Sequence, residues 1–143
     1  MLRTSCAWSI RGDFDVFCAR SGVPNDREWD ESLEAMAAAQ IKKLIVVLAD
    51  SGQVHMSSAR RKRTAEVMKT LGCKQVVLTN HSLSRGLITA MAWLGSDVRA
   101  FHPRDIAKAK EYLALTAGER AFADEQIVLL GQHLHNLATS ATA

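Results

Sequence analysis

No dinucleotide-binding GxGxxG, no phosphate-binding glycine loop ending in Lys-Ser/Thr, no GxSxG elbow and no HExxH pair occurs in the 143 residues. Each of those spacings positions one particular chemistry, so the absences remove the best-defined nucleotide, hydrolase and metalloprotease readings. Cysteine is scarce. Cys6, Cys18 and Cys73 form no CxxC pair and leave an odd count. That pattern predicts reduced thiols serving as small buried apolar side chains, not a disulfide framework. Long apolar runs are missing too: Leu44 to Ala49 is the longest, against roughly 20 residues for a membrane-crossing helix. The first residues lack a basic stretch followed by an apolar one, and Asp13 and Asp15 come early. No signal peptide is therefore expected. The expected location is the cytoplasm, without membrane association.

What is present suits one globular domain. Apolar residues make up 48% and charged residues 23%, enough to build a single core and too apolar for disorder. The net charge is +3. Basic residues are mostly interleaved with acids, so the balance permits an acidic partner and does not point to nucleic acid. No internal repeat and no low-complexity linker divides the chain.

Residues 4–21 read as two strands around the Arg11-Gly12-Asp13 turn, because Trp8 and Ile10, then Phe14, Val16 and Cys18, alternate at period two. In such a hairpin that tripeptide is a tight turn and not an adhesion motif. Asn25 or Asp26 can cap a first helix, with Trp29, Leu33 and Met36 on one face and an end near Gln40. Residues 41–49 are nearly continuous and β-branched, the pattern of a central strand covered on both sides. A helix over 57–71 ends at Gly72 as a left-handed cap. Strands are expected at 75–79 and 97–101, with a helix between them from Ser82 or Ser84 to Leu94. A helix bearing Ile106, Ala109 and Leu113 follows Pro103, and a terminal helix spans 117–138. Residues 139–143 are expected to fray. The predicted fold is α/β, a single mixed open sheet with an N-terminal hairpin, a parallel centre and packed helices. Residues 1–116 form the domain. The extra C-terminal helix covers a face of the same sheet, with a homodimer seam as the alternative.

This element order resembles the STAS superfamily, the anti-sigma-factor antagonist fold, and most closely its bacterial SpoIIAA-like branch. The likeness is carried by Lys43-Leu44-Ile45-Val46-Val47-Leu48-Ala49-Asp50-Ser51-Gly52, Ser57-Ser58-Ala59-Arg60-Arg61, Val76-Val77-Leu78-Thr79-Asn80, Ser84-Arg85-Gly86 and Val98-Arg99-Ala100-Phe101-His102-Pro103. It covers residues 4–115. It implies a non-catalytic regulatory or protein-interaction module, often switched by phosphorylation of a hydroxyl just after the central strand. The matching window holds Ser51, Ser57 and Ser58. Here the chain departs from the family's pattern, because Gln53 to Met56 separate Asp50-Ser51-Gly52 from the helix start.

A binding surface follows from the residues themselves. Ligands of open α/β sheets gather at the carboxyl ends of the strands, where helix amino ends present unpaired N–H groups. The residues expected at that rim are Asp50, Ser51, Ser57, Ser58, Arg60, Arg61, Asn80, His81, Ser84 and Arg85. Arg60 to Arg63 fill a first helical turn with cations, which the helix dipole disfavours by about 0.3–1 kcal/mol each. Either an anion or acidic partner face is drawn there, or the stretch is a solvated basic face. Asp50 is read as a turn support and His81 as a surface turn residue. His102, His133 and His135 lack metal-ligand spacing. Neither cofactor nor metal is expected. The alternative function is a small-molecule site for an anionic or acyl ligand, and an enzyme using Asp50, Ser51 or His81 ranks last.

Overall fold

The computed structural model describes residues 5–20, 25–48, 57–80 and 97–142, with side chains as far as Asn136. The chain opens on a hairpin of β1 (Cys6–Arg11) and β2 (Phe14–Ala19). Arg11 pairs with Phe14, which leaves a two-residue loop. Gly12 takes φ +61 there, the sign such a loop needs and a conformation that a β-carbon would strain.

From β2 the chain runs through α1 (Asp26–Ala39), β3 (Lys43–Leu48), α2 (Ser58–Leu71) and β4 (Lys74–Leu78). β5 (Val98–Phe101) leads through a 3-10 turn at Pro103–Asp105 into α3 (Ile106–Tyr112) and α4 (Ala117–Thr142). The five strands lie in sequence order. β1 is antiparallel to β2, and β2, β3, β4 and β5 are parallel neighbours. The molecule is thus an α/β fold around one mixed sheet.

Strand order decides where the helices go. Successive parallel crossovers of one hand, each adding a strand to the same edge, keep their helices on one side. Accordingly α1 and α2 share a face. Trp29, Leu33, Met36, Met68 and Leu71 pack there with Trp8, Phe17 and Leu44. Phe17 sits edge-on to Trp29 with ring centroids 5.2 Å apart. The opposite face is closed by α3 and α4, whose Ala109, Leu113, Leu130 and Leu134 meet Phe14, Val16, Ile45 and Val76. β3 contributes to both layers, as its β-branched sequence predicts: Ile45 faces one cluster and Leu44 the other. All three cysteines are free and buried.

The helix ends follow local chemistry. The Asn25 side chain accepts from the Glu28 N–H at 3.0 Å, and Gln40 closes α1 at φ 54. Gly72 closes α2 at φ 65. α4 starts on a reciprocal capping box: Thr116 Oγ1 accepts from the Glu119 N–H at 3.2 Å, and Glu119 Oε1 accepts from the Thr116 N–H at 3.0 Å. Glu119 also pairs with Lys43 at 2.8 Å, which fixes the start of α4 over the amino end of β3. The C-terminal helix therefore covers its own sheet.

One helix end differs from the expectation. α4 runs on to Thr142, past the end expected at residue 138. Once a helix is nucleated, each further residue adds a backbone bond, and the alanines of this stretch resist propagation least. As expected, a helix follows Pro103; it is reached through a 3-10 turn capped by His102, whose ring nitrogen accepts from the Arg104 N–H at 3.2 Å. The helix expected from Ser84 to Leu94, with Trp93, lies outside the described residues.

Candidate functional site at the amino ends of α1 and α2

Both helices finish at the amino ends of the strands. The Ile41 N–H reaches the Met36 carbonyl at 3.1 Å, and Lys42 Nζ donates to the Leu71 carbonyl. Their amino ends therefore stand together at the carboxyl rim of the sheet. The start of α1 is tied down by the residue that precedes β1. Ser5 donates to Glu28 Oε1 from its backbone N–H at 2.8 Å and accepts from the Asn25 N–H at 3.1 Å.

The two helices open with opposite charge. α1 carries Asp26 and Glu28 in its first turn, the stabilising arrangement at a positive helix end. α2 has no acid in its first turn. Ser57 is its cap, accepting from the Arg60 N–H at 3.2 Å. Ser58 is the first helical residue and exposed, and its hydroxyl accepts from Arg61 Nη2 at 3.2 Å.

Arg60 is spoken for. Its guanidinium meets Asp26 at 2.9 Å and Asp30 at 3.2 Å, and also donates to the Asp26 carbonyl at 3.3 Å. With only 16% of its side chain exposed, it acts as a clasp between α1 and α2. A second tie lies beside it, where Trp29 Nε1 donates to Thr64 Oγ1 at 3.1 Å and that hydroxyl donates to the Arg60 carbonyl at 2.8 Å. Arg63 approaches Asp30 only at 4.0 Å. Arg61 and Lys62 form no ion pair among the described residues.

The anticipated rim thus divides. Ser57, Ser58, Arg60 and Arg61 are brought together at the start of α2. Asn80 is exposed just beyond β4, next to the buried Thr79. Asp50, Ser51, His81, Ser84 and Arg85 lie outside the described residues, and so does the expected meeting of Ser58 with Ser84. The reading of Arg60 as a contact residue gives way to a structural role. Its acid partners sit on another helix, far away in sequence, where periodicity gives no signal.

No family model and no curated protein matches the chain. Its surface is left to speak through its own charges. Among the described residues no three His, Cys, Asp or Glu side chains gather closely enough to hold a metal ion. No described helix is long and apolar enough to cross a membrane. What the start of α2 can do chemically is take oxygen acceptors. Arg61 and Lys62 supply charge, and the helix end adds its own partial positive charge.

Proposed function

We propose that the chain is a non-catalytic regulatory module of the STAS type its sequence resembles, and that it engages an acidic protein partner through the first turns of α2. The observation that carries this reading is that Arg61 and Lys62 form no ion pair among the described residues. Arg60 beside them is fully matched by Asp26 and Asp30. A helix selected for stability alone would start with acids, as α1 does. Cations without internal partners are useful where a carboxylate-rich surface comes to meet them. The mixed sheet with its antiparallel hairpin and parallel centre is compatible with that family.

The same geometry separates the candidate phosphoacceptors. The Ser57 hydroxyl is occupied as the helix cap. Ser58 is exposed at the first helical position, its oxygen already touching Arg61. A phosphate there adds roughly two negative charges at a helix amino end and draws Arg61 onto itself. Phosphorylation of Ser58 would thus cancel the charge that the partner reads. Ser51 lies outside the described residues.

The test is affinity capture from the native host with the R61E/K62E variant. Loss of the captured partner with an unchanged far-UV circular dichroism spectrum is the expected result. Undiminished capture by the folded variant removes the start of α2 as the contact. S58E should behave like R61E/K62E, and S58A like the unmodified chain.

A further inference from the structure

Asp15 sits inside the sheet without a counterpart. It pairs in register with Ile10 on β1 and Leu44 on β3. Its side chain is fully buried, and neither carboxylate oxygen has a hydrogen-bond partner. Alternation along β2 places it on the face of Phe17 and Ala19, under α1 and α2. The side chains gathered on that face are mostly apolar, Leu33, Met36, Ile41, Leu44, Met68 and Leu71 among them; the buried Ser32 of α1 is turned to the Trp29 carbonyl, and Gln75 lies in register beyond Leu44. Both helices end toward the amino ends of the strands, the end of β2 that holds Asp15, so no helix amino end is directed at its carboxyl group.

The ionisable neighbours do not repair this. Lys42 donates its Nζ to the Leu71 carbonyl at the end of α2. Burial pushes the Cys73 thiol up to about 12, so it stays neutral. On α1, Glu28 is held by Ser5, and Arg27 and Glu34 are exposed. Asp30 and Glu31 on that helix pair with Arg60 and Arg27. Lys69 on α2 is exposed. Arg11, at the end of β1, reaches across to the Gly118 carbonyl.

We propose that Asp15 is a proton-linked latch: the fold holds it as the neutral acid, and its ionisation loosens α1 and α2 from the sheet. An unpaired carboxylate in an apolar wall is costly, whereas the protonated acid is a tolerable buried group. Burial pushes the Asp15 carboxyl up to about 7, with the positive amino terminus acting in the opposite direction. The folded state therefore binds this proton more tightly than the unfolded chain, whose aspartates titrate near 4. The stabilisation is complete below the unfolded value and is lost as pH rises through the folded one. Between about pH 4 and pH 7 the unfolding constant should rise by up to about tenfold per pH unit. Near neutrality small pH changes then set how firmly the two helices are held, and with them the Arg60 clasp.

Two measurements on the whole chain decide the matter. Carbon-13 carboxyl NMR of the unmodified protein should give Asp15 a midpoint near neutrality. Amide protection factors in α1 and α2 should fall as pH rises toward that midpoint and level off above it, and in Asp15→Asn they should show no such fall. A midpoint in the ordinary aspartate range would overturn the latch, as would identical pH dependence in the two proteins. Should Asp15→Asn fail to fold, the titration and protection factors of the unmodified chain decide alone.

Discussion

Arg60 turns inward along the seam of α1 and α2, where it meets Asp26 and Asp30, while Arg61 turns outward to the Ser58 hydroxyl. Adjacent residues on a helix are about 100° apart, so one can serve the fold and the next the surface. Replacing Arg60 with Ala should cost about 1 kcal/mol, because a partly buried cation with two carboxylates is removed. Replacing Arg61 with Ala should stay within about 0.5 kcal/mol, the range for surface positions. Urea denaturation of the two variants distinguishes them, and equal losses would contradict the clasp. The basic run was legible in the sequence, but its division into a clasp and a pair without ion partners among the described residues was not. Asp15 is hidden for a related reason. In the sequence it reads as a charge interrupting an apolar run, and only the strand register reveals that its side chain points into the core.

Among the elements, α4 was the easiest to anticipate and the hardest to end. Ala123, Ile127, Leu130 and Leu134 are spaced four, three and four apart, a stripe that packs on the sheet beside Phe14 and Val16. Its start is held by the capping box of Thr116 and Glu119, which the structure shows. Its last turn leaves no sequence mark, because the cost of extending a nucleated helix is too small. Gly131 lies within this helix, and nothing stands within 4 Å of the position a β-carbon would take. Gly131→Ala should therefore stabilise the protein by about 0.5–1 kcal/mol, by restricting the unfolded chain and favouring the helix. A higher thermal midpoint is the expected reading, and a lower one would mean that the helix needs the glycine for a reason other than space.

For the whole molecule, hydrophobic periodicity supplied nearly all of the described architecture. The hairpin, the central strand buried on both faces and the parallel order all follow from apolar spacing, turn residues and the hand of crossovers. Function was less legible, because a contact surface is defined by which charges lack internal partners, and that requires coordinates. The start of α2 is one such place. The amino ends of α1 and α2 share the carboxyl rim; the acids of α1 absorb Arg60, and Arg61 and Lys62 form no ion pair among the described residues. The only exposed large apolar side chains among the described residues, Val128 and Leu129, lie elsewhere, on the outer side of α4. Nitrogen-15 NMR of the labelled protein, titrated with the captured partner, compares these two surfaces directly. The account predicts shift changes concentrated between Ser57 and Arg63. Changes confined to α4 around Val128 and Leu129, with the start of α2 silent, would contradict it.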